Sequence, residues 1–133
     1  MRHAHRHPQT REEMIIDLQS DDRWQAIEEL IDQLVIEGKI LPEHRPSVIE
    51  AVNKRERSMS TGIGFGIAIP HASTELVAEV IEVKGRSKTG IDFGALDGKP
   101  VHRVILFLVP AGQFQKHAHI LADIAKQLHK MDF

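Results

Sequence analysis

Cysteine is absent from this chain, which removes disulfides, thiolate nucleophiles and zinc–cysteine sites together and fits a reducing compartment. No apolar run approaches the roughly 20 residues needed to cross a bilayer, and the charged, histidine-rich start lacks the pattern of a secretory signal. A cytoplasmic protein without membrane insertion is therefore expected. Neither sign of charge dominates: 17 basic against 19 acidic residues leave a formal net charge of -2. Without a global field to draw nucleic acid, partners must be recognised locally. Nucleotide signatures are missing as well. Gly62, Gly64 and Gly66 are not followed by the Gly-Lys-Ser/Thr of a phosphate-cradling loop, and they lead into a strand rather than a helix, which also excludes the dinucleotide fingerprint. A helical HExxH pair is lacking too, so no cofactor is implied.

What is present suffices for one core: 41% of 133 residues are hydrophobic, enough to bury roughly two-thirds of the unfolded surface. Residues 1–11 read as a disordered polar tail in which His3, His5 and His7 alternate before Pro8, and residues 12–133 as a single domain. Residues 14–18 are either a short strand or a lead-in. Ser20 is a plausible N-cap, followed by Trp24, Ile27, Leu30, Ile31, Leu34 and Val35 at helical spacing, with Gly38 as the stop. Pro46 suits the first turn of a second helix ending near Arg55. Ile67 to Ile69 reads as a short buried strand, residues 76–83 as a strand whose alternation slips once, residues 88–90 as a turn and residues 91–100 as a packed loop. Val101 to Val109 is nearly continuous in apolar residues, as a central parallel strand covered on both faces should be. His117, Ile120, Leu121, Ile124 and Leu128 share one face of a last helix. The expected fold is α/β, a central, mostly parallel sheet of about five strands with one antiparallel or edge member and helices on both faces.

The chemistry concentrates in Ser60 to His71, STGIGFGIAIPH. The glycines permit backbone geometries and close approaches that side chains forbid. Pro70 cannot donate to a ladder and ends the strand, which presents His71 at a strand end. An imidazole with an ordinary pKa of about 6.5 is mostly neutral at neutral pH and suits a nucleophile or a metal ligand. Directly before this block, Lys54, Arg55, Glu56 and Arg57 form a charged cluster, which reads either as a solvated helix end or as an anion site. His117 sits where helix N-terminal N–H groups favour an anion, whereas His119 points about 200° away.

Arg55 and Glu56 followed by STGIGFGIAIPH, together with the later run GIDFGALDGKPV, resemble the active-site signature of enzyme IIA domains of the bacterial phosphoenolpyruvate-dependent phosphotransferase system. The likeness is to the fructose/mannitol class, and within it to the nitrogen-regulatory type. The resemblance implies the mannitol-type enzyme IIA fold and phosphorylation of His71 by a phosphocarrier protein, HPr or its nitrogen-type counterpart. It places the family's second active-site histidine at His117 and singles out Arg55 from the charged cluster. Ser60 and Thr61 would donate hydrogen bonds to the phosphoryl group, and Ile63 and Phe65 would form an apolar docking collar, with no metal or nucleotide required. The role implied is regulatory, with a target protein reading the phosphorylation state; the alternative is a sugar-transport enzyme IIA that passes phosphate to a IIB domain. A rival of another class is a metal-binding protein using His71, His117, His119 and the N-terminal histidines. Family domains continue beyond the helix that opens at His117, so this chain is expected to lack the family's C-terminal helix and to self-associate.

Overall fold

The computed structural model describes residues 15–112. The polar tail, His117, His119 and the expected last helix lie outside the described residues. In chain order the elements are β1 (Ile15–Asp17), α1 (Arg23–Ile36), a single 3-10 turn (Pro42–His44), α2 (Arg45–Ser58), β2 (Gly62–Gly64), β3 (Ile67–Ala68), β4 (His71–Thr74), β5 (Ile81–Ile91) and β6 (Val101–Pro110). No described helix is long and apolar enough to cross a membrane.

Helix α1 begins two residues later than the sequence suggests. The Asp22 side chain accepts from the backbone N–H of Gln25 at 2.9 Å and acts as the N-cap. The Ser20 hydroxyl donates instead to Glu29 Oε1 at 2.7 Å. The helical period does its work: Ala26, Ile27, Leu30, Ile31 and Leu34 are buried, while Trp24 is only half-buried and carries the Arg23 guanidinium 4.6 Å from its ring. In α2, Pro46 occupies the first turn, Val48 and Val52 are buried, and the helix runs to Ser58 rather than stopping near Arg55.

The six strands order as β1-β5-β6-β3-β2, with β4 also paired to β6. Pairs β1/β5, β3/β6 and β4/β6 are parallel, whereas β5/β6 and β2/β3 are antiparallel. The sheet is thus mixed, with one strand and one antiparallel pairing more than expected. Strand β6 is central as its apolar run predicts, but it lies between an antiparallel neighbour and parallel ones. Val104, Leu106 and Leu108 join the core with α1 and α2, and Ile105 and Phe107 join Ile67 and Ile69 in a second cluster. A strand alternates faces, so the two clusters lie on opposite sides of the sheet. Both described helices therefore pack on one face; the last helix expected from the sequence lies outside the described residues.

The strand expected over residues 76–83 starts at Ile81 and continues to Ile91, through the turn expected at 88–90. The irregularity sits there instead, as a register shift between Arg86 and Ile91.

Candidate functional site

Strands β2 and β3 form a tight hairpin around Gly64, Phe65 and Gly66, whose φ angles are +100°, +59° and +76°. The chain then tracks β6 without a break. Gly66 accepts from the N–H groups of His102 and Arg103 at 2.9 Å each, and the Pro70 carbonyl accepts from Phe107 at 3.0 Å. Pro70 interrupts the ladder rather than ending it, because it lacks an N–H but keeps its acceptor. His71 accordingly opens β4, opposite Phe107, instead of closing the preceding strand.

The tight fit at the glycines is internal. A Cβ on Gly62 would stand 2.8 Å from Ala95 Cβ, in the loop before β6. The same loop caps the hairpin: Leu96 N–H donates to Gly62 at 3.2 Å, and Phe65 N–H donates to Asp97 Oδ2 at 3.1 Å.

The His71 ring nitrogen Nδ1 lies 2.9 Å from the Ile69 carbonyl. A carbonyl only accepts, so the neutral ring carries its proton on Nδ1 and its lone pair on Nε2. Burial pushes the imidazole below its ordinary pKa; the Ile69 carbonyl pulls back, the Arg55 charge pushes further down, and Glu56 opposes it. A depression of about 590 Å³ opens beside the ring. Helix α2 lines it with Ala51, Lys54, Arg55 and Ser58, and β4 with His71, Ala72 and Ser73. The structure thereby brings Arg55 and His71 to one site, with Arg55 Nη1 donating to the Met59 carbonyl at 2.8 Å.

Ser60 and Thr61 are occupied elsewhere. Thr61 Oγ1 donates to Glu56 Oε1 at 2.6 Å and Thr61 N–H to Glu56 Oε2 at 3.1 Å. The Ser60 hydroxyl donates to the Phe93 carbonyl and accepts from Gly62 N–H at 3.0 Å. A hydroxyl has one proton, so in this geometry neither offers one to an anion. What they do is fasten the signature. Arg23 completes the network, reaching Glu56 Oε2 at 3.3 Å and the Phe93 carbonyl at 2.8 Å. Glu56 is 1% exposed.

Nor are Ile63 and Phe65 gathered round His71. Ile63 packs on the cluster of Ile67, Ile69, Ile105 and Phe107. Phe65 is 72% exposed, but it adjoins the His102 end of β6 while His71 pairs with Phe107. At about 3.3 Å per residue, roughly 15 Å separates them. Phe65 instead borders a second depression with Leu96, Asp97, Lys99, Pro100 and His102. Of the rival metal ligands, His71 alone lies among the described residues.

Sequence reasoning missed Glu56 and Arg23 as the network's centre, and Ser58 and Ser73 as lining residues. The signal available for Ser73 was its position two residues after His71, which on a strand means the same face.

Residues 9–133 match the family described as phosphoenolpyruvate-dependent sugar phosphotransferase system, EIIA 2. The fructose-specific EIIA component of Haloferax volcanii is 39% identical over 107 residues, covering 80% of this chain and 68% of that protein. The nitrogen regulatory protein of Escherichia coli K12 is 41% identical over 102 residues, covering 75% of this chain but 61% of its own length. Among solved structures, the nitrogen regulatory protein IIA-Ntr of Neisseria meningitidis superposes with a TM-score of 0.76 at 29% identity, covering 86% of this chain and 77% of that one. The mannitol IIA of Escherichia coli, with a TM-score of 0.71 at 23% identity over 90% of this chain and 82% of its own, has the same α/β fold.

Proposed function

The chain belongs to the phosphotransferase-system EIIA 2 family, and within it we propose that His71 Nε2 accepts a phosphoryl group from a phosphohistidine of a carrier protein and holds it in a regulatory, nitrogen-type branch. The observation that carries this is the fixed tautomer of His71: its Nδ1 proton is given to Ile69, which keeps the lone pair on the nitrogen that must attack. In the transfer the Nε2 lone pair forms a new N–P bond as the donor's N–P bond breaks, and that bonding pair returns to the donor imidazole. Two nitrogens of similar basicity exchange one group, so alignment and charge stabilisation do most of the work. Arg55, lining the same depression, would offset the phosphoryl charge through its planar guanidinium. His117 is assigned the second histidine's role, and Ser60 and Thr61 are assigned the task of holding the signature in place. Docking of the carrier is assigned to the surface round the α2 and β4 depression.

The similarity to a fructose-specific component over 80% of this chain favours a second reading, in which His71 hands its phosphate to a IIB domain during sugar uptake. The first experiment supplies phosphoenolpyruvate, enzyme I and phosphocarrier protein and seeks an acid-labile, base-stable phosphate by intact mass. Label on the wild type that vanishes in His71→Ala is expected; no label with active carriers would overturn the relay. Adding a IIB domain then separates the readings, because only the transport reading drains the label from His71 onto that domain.

A further inference from the structure

The described part of the depression beside His71 holds two groups with no role so far. Ser73 is exposed and lies two residues along β4 from His71, so both side chains leave the same face of the strand. The other hydroxyls nearby are committed: Ser58 donates to the Arg55 carbonyl at 2.7 Å, and Ser60 and Thr61 to Phe93 and Glu56. Ser73 has no side-chain hydrogen bond among the described residues. Its backbone is placed as tellingly. The carbonyls of Pro70 and Thr74 accept from Phe107 and Ala111 at 3.0 and 2.9 Å, so the even-numbered residues turn towards β6. Peptide groups alternate along a strand, so Ser73 N–H turns to the opposite side, where no described strand pairs with β4. Across the depression stands Lys54. Its neighbour Arg57 pairs with Glu50 at 3.3 Å, whereas Lys54 makes no ion pair among the described residues.

We propose that Ser73 and Lys54 bind the phosphoryl group carried on His71, Ser73 through both its hydroxyl and its outward N–H, and Lys54 through its ammonium. The proposal rests on the relay reading above. A hydroxyl, an amide and an ammonium around three phosphoryl oxygens supply donors where the signature's own hydroxyls do not, and charge-assisted bonds of this kind are the strong ones. Because these groups meet the phosphoryl oxygens and not the carrier, they act whichever donor brings the phosphate.

The test compares two donors on the full chain: phosphoramidate, which needs no docking, and the phosphorylated carrier protein. Ser73→Ala removes the hydroxyl, Ser73→Pro also removes an N–H that no described ladder uses, and Lys54→Gln removes the charge at similar length. With each donor, Ser73→Ala and Lys54→Gln should slow phosphorylation of His71 roughly tenfold, with a larger loss for Ser73→Pro. Circular dichroism checks that each variant is folded, and the two milder variants carry the test should Ser73→Pro not fold. Unchanged rates with phosphoramidate would overturn the proposal. So would a loss confined to the protein donor, which would assign both residues to carrier docking. Absence of phosphate on the wild type, or its persistence in His71→Ala, is a different result: it defeats the relay itself and takes this proposal with it.

Discussion

At the scale of the residue, the relay proposed above needs a neutral His71, and the surroundings of the ring favour that form. Burial and then the Arg55 charge lower its pKa against the opposing pulls of Ile69 and Glu56, so the ring takes up its proton at a lower pH than the roughly 6.5 of an ordinary histidine. Phosphorylation by phosphoramidate should accordingly fall to half its plateau rate at a pH below about 6.5. In the unfolded chain the same histidine protonates first, so the unfolded state binds more protons over this interval. Stability from this group is therefore complete above about 6.5, is lost as pH falls towards the folded pKa, and changes no further beneath it. Arg55→Met removes one of the two lowering influences and should move the His71 titration upward, as read from its imidazole NMR signals, while slowing transfer roughly tenfold. A wild-type titration at or above 6.5 would refute this account. His71 stood out in the sequence because it closes a Gly-rich, proline-terminated block, whereas Arg55 was singled out from its charged cluster only by the family resemblance; the structure places the two at one depression. Glu56 did not stand out, because a glutamate between two arginines reads as a solvated helix end until Thr61 and Arg23 are seen to enclose it.

At the scale of the element, the hairpin carrying the signature depends on contact with the loop before β6. A methyl group at Gly62 would meet Ala95 Cβ at 2.8 Å and Ala95 Cα at 2.9 Å, and a backbone atom cannot rotate aside. Gly62→Ala should destabilise the protein by about 1–3 kcal/mol, seen as a lower urea midpoint; an unchanged midpoint would mean that the loop yields freely. The sequence signalled that something approaches these glycines closely, but which segment does so is a tertiary fact. Helices α1 and α2 were readable because their apolar spacing persists for several turns, with only their ends displaced by a cap at Asp22 and a last turn reaching Ser58. Strand β5 was read wrongly over much of its length. Its second half, Gly85 to Gly90, has the composition of a turn, yet Gly85 and Arg86 pair with Val104 and Arg103, and residues 87–90 form an irregularity before Ile91 pairs with Val101. Strand β4 left no periodic signal in four residues after a proline, and among the described strands it pairs only with β6.

At the scale of the whole molecule, one carboxylate joins segments far apart in the chain. Arg23 at the start of α1, Glu56 near the end of α2, Thr61 in the signature and the Phe93 carbonyl before β6 all meet in a single network. The Glu56 side chain is fully buried and that of Arg23 is 27% exposed, so the charge on Glu56 is held where water cannot compensate it and the cation beside it matters. Removing one partner of a buried pair is costly because it strands the other charge, whereas removing both can cost much less. Arg23→Met should lower stability by roughly 3 kcal/mol, a large share of the 5–15 kcal/mol typical of such domains. The double variant Arg23→Met/Glu56→Gln should lose less than the two single losses combined, since no stranded charge remains and the amide can still accept from Thr61. Denaturation followed by far-UV circular dichroism measures this without relying on Trp24, whose fluorescence would change in any case because Arg23 stacks on it at 4.6 Å. The same carboxylate holds Thr61 N–H at 3.1 Å, so phosphorylation of His71 should slow in Arg23→Met even at temperatures where the protein remains folded. Wild-type stability together with a wild-type transfer rate would show that the network bears neither the fold nor the placement of the signature. A loss of stability alone would confine it to the fold and leave the positioning of His71 to β6.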